Sequence, residues 1–350
     1  MNKRIFNSFI ALVLLTASFA PAALAQTKGK PGAVTATTTA AAQDPLTMLP
    51  ASDAVVTADV RRVLNEALPR ALASDSAKLA QVNADIDRFK TRTGVDLRSV
   101  ERIALGTRFR DVSNQATRME TVAIARGTFS ADVIVAAGRL AAKDKYRTEK
   151  YAGKNIYIFT LNDQMKLFGL FNMKLTDVAV SVMDAHTLAI GQLERVREAI
   201  DASAGRARVS GELVQLATRT PNALISFGAN VPAAAMRELG GVGLDSDETT
   251  KNIASIRQVY GAIGMTANGF DMQAVARTDN AQAAQGLNDT ITGAKELIAP
   301  MVSQLLRNSA KAKLVRNTLD SLKVTTAGNE LQLRLEVAQS DLSTLVQGSE

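Results

Sequence analysis

Side chains that commonly carry chemistry are scarce in this chain, and their spacing is poor. His186 is the one imidazole, and there is no cysteine. A catalytic zinc takes three protein ligands drawn from His, Cys and carboxylates, which this chain can hardly assemble. A Ser-His-Asp triad would have to use His186, and no Gly-x-Ser-x-Gly elbow is present. Asp184-Ala185-His186 reads instead as the tip of a hairpin. Asp245, Asp247 and Glu248 come closest to a calcium cluster. Their spacing departs from the twelve-residue loop, and acidic residues opening a helix are ordinary dipole partners. Gly240, Gly241 and Gly243 lack the Lys-Ser/Thr of a phosphate loop and any dinucleotide spacing, so they read as a turn. Asp85 and Asp87 fall on different faces of a charged helix, which argues against paired acid–base work. Ser321-Leu322-Lys323 is too short a match for a Ser-Lys dyad. The sequence thus predicts a non-enzymatic protein without cofactor or metal. A hydrolase using unidentified carboxylates is the remaining catalytic alternative.

The strongest binding signal is Met165 to Leu175, MKLFGLFNMKL. It gathers Leu167, Phe168, Leu170, Phe171 and Met173 around Gly169, in a chain with only 4% aromatic residues and no Trp. Two readings stand. The stretch is a core segment, or it is an apolar contact surface for an envelope protein or a lipid surface, with Lys166 and Lys174 at its rim.

The elements that must position these residues follow from periodicity. In 264–298 a short apolar run meets the Asn268-Gly269 turn, and Phe270, Met272, Ala274 and Ala276 then alternate as in a strand. Thr278, Asp279 and Asn280 offer helix caps, and Ala284, Leu287, Ile291, Ala294 and Ile298 follow at helical spacing. Pro300 predicts a break in this helical region. Related units recur from Ala54 onward. A strand over 54–60 leads to helical positions Val63, Leu64, Ala67 and Leu68, and a helix over 76–93 stops at Gly94. The polar stretch 110–118 reads as a turn between two strands, Ser130 caps a helix, and 146–161 and 177–191 read as hairpins. A second segment restarts with a strand over 223–229 and closes with the strict alternation of Leu331, Leu333, Leu335 and Val337. Ser340 or Asp341 would then cap a terminal helix. The expected fold class is α+β: two related modules, 51–203 and 210–350, of mainly antiparallel sheet with helices packed on one face.

Residues 1–25 predict an export signal. Lys3 and Arg4 precede an apolar core over 5–19, and Ala23-Leu24-Ala25 gives a small-x-small cleavage pattern. Residues 26–50 read as a flexible linker, low in complexity over 26–44. No later apolar run reaches transmembrane length, so the mature chain is expected to be periplasmic or secreted. Its charge falls from +7 to +5 without Lys3 and Arg4. Those charges are interspersed, and Arg307, Lys311, Lys313 and Arg316 have no aromatics beside them, which argues against nucleic-acid binding.

Several phrases carry a resemblance. They are PASDAVVTADVRRVLNEALP, FKTRTGVDLRSVERIALG and TLAIGQLERVREAID, with the pairing of GFDMQAVARTDNAQAAQGL and LKVTTAGNELQLRLEVAQSDL. The chain resembles uncharacterised exported bacterial proteins grouped as a domain of unknown function. The resemblance implies tandem α+β modules behind a signal peptide, and it carries over no catalytic residue or ligand. The functional expectation is an exported cell-envelope protein with a binding or structural role. A periplasmic carrier of a lipid or other hydrophobic ligand is the alternative.

Overall fold

The computed structural model describes residues 44–113, 116–143, 145–160, 164–167, 171–174, 177–231, 247–305, 310–339 and 341. The expected export signal, most of the expected linker, the glycines at 240–243, Asp245 and the expected terminal helix lie outside the described residues.

Alternating patterns become strands that join into one twelve-stranded, wholly antiparallel sheet. The first half contributes β1 (Ala54–Asp59), β2 (Val100–Ser113), β3 (Ala116–Gly127), β4 (Tyr146–Tyr151), β5 (Lys154–Thr160), β8 (Asp177–Asp184) and β9 (Thr187–Gly191). Between β5 and β8 lie β6 (Gln164–Leu167) and β7 (Phe171–Lys174), which pair only with each other as a separate ribbon. The second half contributes β10 (Ile225–Asn230), β11 (Ile256–Met265), β12 (Gly269–Thr278), β13 (Lys323–Ala327) and β14 (Glu330–Ala338). Across the sheet the order is β13-β14-β12-β11-β10-β1-β2-β3-β9-β8-β5-β4. The halves meet where β1 pairs with β10, Val56 opposite Phe227. Outward from that seam both halves follow one succession, 1-2-3-9-8 and 10-11-12-14-13.

Helices cover both faces. One face takes α1, which begins as Val60–Arg62, widens into a π turn over Val63–Ala67 and resumes over Leu68–Ala71. Pro69 explains the widening. Its ring lacks an N–H and would strike the carbonyl one turn back, so the Leu68 N–H bonds Val63 five residues away. Ala67 and Ala71 pack with Phe270, Met272 and Val337 of the sheet. The same face carries α3 (Ala131–Ala141) over Phe159, and α7 (Ala281–Leu305), whose Ala284 and Leu287 meet Ala276 and Leu331. The helices α2 (Ser76–Thr93), α6 (Asp247–Ala254) and α8 (Ala310–Ser321) flank these. On the opposite face α4 (Leu193–Ser203) and α5 (Gly211–Ala217) bury Val196, Ile200, Leu213 and Leu216 against Val55, Val122, Ile124 and Ile156.

The α+β class and the antiparallel sheet are as expected; α4 and α5 add a smaller second helical layer. Asn280 is the cap the sequence left open, accepting from the Ala283 N–H at 2.9 Å. Pro300 does not end α7, which continues to Leu305 because a 25-residue helix tolerates one missing ladder bond. The polar stretch 110–118 is largely strand and not turn, with β2 reaching Ser113 and β3 starting at Ala116. Cross-strand charge holds its base, Arg110 lying 3.1 Å from Glu120.

Gly94 ends α2 in the left-handed region at φ 74°. A Cβ there would be strained and would sit 2.9 Å from Val133 Cγ1. Gly94→Ala is expected to cost about 1–2 kcal/mol, read as a lower urea midpoint with an unchanged slope.

Candidate functional site

The sequence's contact stretch folds as the β6–β7 ribbon. Its register pairs Gln164 with Lys174, Met165 with Met173, Lys166 with Asn172 and Leu167 with Phe171. Directly opposed residues share a face, and alternation then sorts the ribbon into two sides. By register Met165, Leu167, Phe171 and Met173 hold one set of alternate positions, and Gln164, Lys166, Asn172 and Lys174 the other. Phe168 and Leu170 lie outside the described residues, between the two strands. The ribbon therefore brings Leu167, Phe171 and Met173 of the expected set together and adds Met165, at the same alternation. It is spliced into the sheet where Thr160 of β5 opposes Asp177 of β8, and the Thr160 hydroxyl donates to the Asp177 carboxylate at 2.8 Å.

His186 stands at the β8–β9 hairpin tip, exposed, where the notional triad would have needed it buried. Its backbone N–H donates to Asp184 at 2.8 Å, and its Nδ1 lies 3.2 Å from the Gly127 carbonyl. Asp247 opens α6, and Glu248 follows it. Among the described residues no three His, Cys, Asp or Glu side chains are grouped to hold a metal ion.

Two charged clusters escaped sequence reading. Arg195 of α4 is wholly buried; it donates to the Ala51 carbonyl at 3.0 Å, to Ser52 Oγ at 2.8 Å and to Glu198. Glu198 also accepts from Arg108 at 2.9 Å, and Arg108 reaches Glu120 at 2.8 Å. Burial draws the Arg195 guanidinium below its ordinary range, and Glu198 opposes that shift. On the second half's sheet, the Tyr260 hydroxyl donates to Glu330 at 3.0 Å and accepts from Arg219 at 2.7 Å. Arg277 grips the same carboxylate at 2.8 Å. Burial first, and the Glu330 charge second, push the Tyr260 phenol up to about 12. A neutral phenol under two guanidinium planes, 4.9 and 5.9 Å from its centroid, is a packing arrangement of satisfied polar groups. The i,i+3 spacing of Arg195 and Glu198 was the only trace of these clusters in sequence.

Fold and ribbon together define an α+β protein built on one antiparallel sheet, with a separate two-stranded β-ribbon. No family model matches the chain, and no curated protein matches it. Among solved structures it is similar to crystal forms I, III and IV of TP0453. These align over 88%, 87% and 88% of this chain and 98% of their own, at 10%, 12% and 11% identity. The TM-scores are 0.42, 0.44 and 0.43.

Proposed function

We propose that the chain is an exported, non-enzymatic cell-envelope protein with a binding or structural role, and that the β6–β7 ribbon is its contact element. The observation that carries this reading is the ribbon's register, which pairs apolar positions with apolar and polar with polar, in strands outside the main sheet. A two-stranded ribbon is marginal alone in water and gains stability by laying its apolar side on something else. Its only charges are Lys166 and Lys174, which suits a partner protein or lipid surface bearing negative charge. The export pattern read in the sequence of 1–25 favours placement in the periplasm or outside the cell, and no described helix is long and apolar enough to cross a membrane. The matching strand succession of the two halves supports reading them as copies of one module.

The test is a Leu167→Ser/Phe171→Ser double variant. The expected result is a melting temperature within a few degrees of the parent, together with loss of association with a copurifying partner or with anionic vesicles. A loss of roughly 3–5 kcal/mol in stability would make the ribbon part of the core and remove the proposed contact element.

A further inference from the structure

We propose that Asn268-Gly269, at the tip of the β11–β12 hairpin, is a self-modification site. There the chain converts Asn268 to an aspartyl or isoaspartyl residue, with water as co-reactant. The inference is independent of the ribbon. Asn268-Gly269 is the chain's one Asn-Gly dipeptide, and the fold requires its glycine. A Cβ on Gly269 would lie 2.1 Å from the Val337 carbonyl oxygen and 3.0 Å from Ala338 Cα, backbone atoms of β14 that cannot swing aside. The residue after Asn268 therefore carries no side chain to shield its nitrogen.

Both reacting groups are unengaged. Asn268 is exposed, and its carboxamide makes no hydrogen bond among the described residues. Thr266 N–H donates to the Gly269 carbonyl at 3.0 Å, but the return bond, from Gly269 N–H to the Thr266 carbonyl, is not made. On its other side Gly269 opposes Ala338, and the Gln339 N–H reaches the Asn268 carbonyl at 3.0 Å, which makes Gly269 a non-hydrogen-bonded position toward β14. Among the described residues the Gly269 N–H is thus a donor without a partner, in a residue that is buried. Folded chains rarely leave such a group.

Loss of the Gly269 amide proton to hydroxide leaves a negative charge shared between that nitrogen and the Asn268 carbonyl oxygen. The Gln339 N–H already donates to this oxygen, as an oxyanion donor would. One residue back, Arg70 of α1 donates to the Ala267 carbonyl, and its Nε donates to Gln339 Oε1 at 3.4 Å. A cation held there favours the anionic nitrogen further. The nitrogen attacks Asn268 Cγ, the new N–Cγ bond closes a cyclic imide, and the bond from Cγ to the amide nitrogen breaks. Ammonia leaves with a proton taken from water, which regenerates the hydroxide. Water then opens the imide at either carbonyl, giving aspartate on the original backbone or isoaspartate with one extra backbone carbon. Ring closure removes the unpartnered N–H, and either product leaves a new carboxylate in the turn that Arg70 holds.

The test incubates the mature protein in heavy-oxygen water at neutral pH, folded in buffer and unfolded in guanidinium chloride, and maps its peptides by mass. Heavy oxygen should enter at residue 268, as aspartate and isoaspartate, faster in the folded chain than in the unfolded one. The folded rate should also rise with pH, because the nucleophile is the deprotonated nitrogen. Arg70→Gln removes the cation, and Gln339→Pro removes the N–H on the Asn268 carbonyl. Each should slow the folded rate at least about tenfold and leave the unfolded rate unchanged. Melting temperatures show whether each variant folds, and either one carries the test if the other does not. A folded rate no faster than the unfolded rate overturns the proposal, since the dipeptide alone would then account for the reaction. So do folded Arg70→Gln and Gln339→Pro proteins that react as fast as the parent.

Discussion

Replacing Glu198 by alanine is expected to destabilise the protein by about 3–5 kcal/mol, although Glu198 is itself partly exposed. The effect is transmitted through Arg195, whose side chain is 0% exposed and whose only carboxylate partner is Glu198 among the described ion pairs. Without that carboxylate the guanidinium keeps two neutral acceptors, the Ala51 carbonyl and Ser52 Oγ, and its Nε already has no partner. A buried, uncompensated cation is among the costliest defects a fold can carry. Arg108 would lose one of its two carboxylates and keep Glu120, so it adds little to the loss. Glu198→Gln, which retains an acceptor but not the charge, should fall between the two. Urea unfolding of the three proteins measures the series; a Glu198→Ala loss below about 1 kcal/mol would mean that the cluster is solvated.

Leu213→Ala should cost about 2–5 kcal/mol, and the loss should be felt by both halves of the chain. Leu213 is fully buried on α5, which lies across β10 and β1, where the halves are joined. Removing its side chain opens a cavity at the seam, under strands drawn from distant parts of the sequence. Because one sheet runs through the seam, weakening β10 exposes the edge of β1. A dye on a single cysteine placed in either half reports this locally, and both probes should shift by the same amount in one transition. Two separated transitions, with only the second-half probe displaced, would show that the halves unfold independently.

Local patterns were the legible part of this chain. The alternation of Leu331, Leu333, Leu335 and Val337 became β14, while the turn expected at Asn268-Gly269 lies one residue earlier, at Ala267-Asn268, with Gly269 already opening β12 and its carbonyl accepting from the Thr266 N–H. Gly94 stopped α2 and Ser130 capped α3. What the sequence hid was of two kinds. Some elements were too short or too polar for periodicity to register, as with α5. There Ser210 caps two turns whose Leu213, Leu216 and Ala217 are buried, a signal present but brief. The polar ends of β2 and β3 likewise pair with each other although they alternate little. The remaining features are long-range. Nothing local in Val55 or Phe227 announces that their strands are neighbours, nor does Arg195 announce Ser52 as its partner. The candidate stretch stood out in composition, while its pairing as a ribbon needed the register.

The seam between β1 and β10 also carries a consequence for biogenesis. Ala58 finds Ile225 only about 170 positions later in the chain, a separation that slows folding and delays closure of the sheet. At ribosomal rates of about 5–20 residues per second, β1 waits on the order of ten to thirty seconds for its partner to be made. Throughout that interval one strand of the half-built sheet stands open to any passing polypeptide. A chain arranged in this way gains from being held by a chaperone, or from being threaded unfolded, until β10 has emerged.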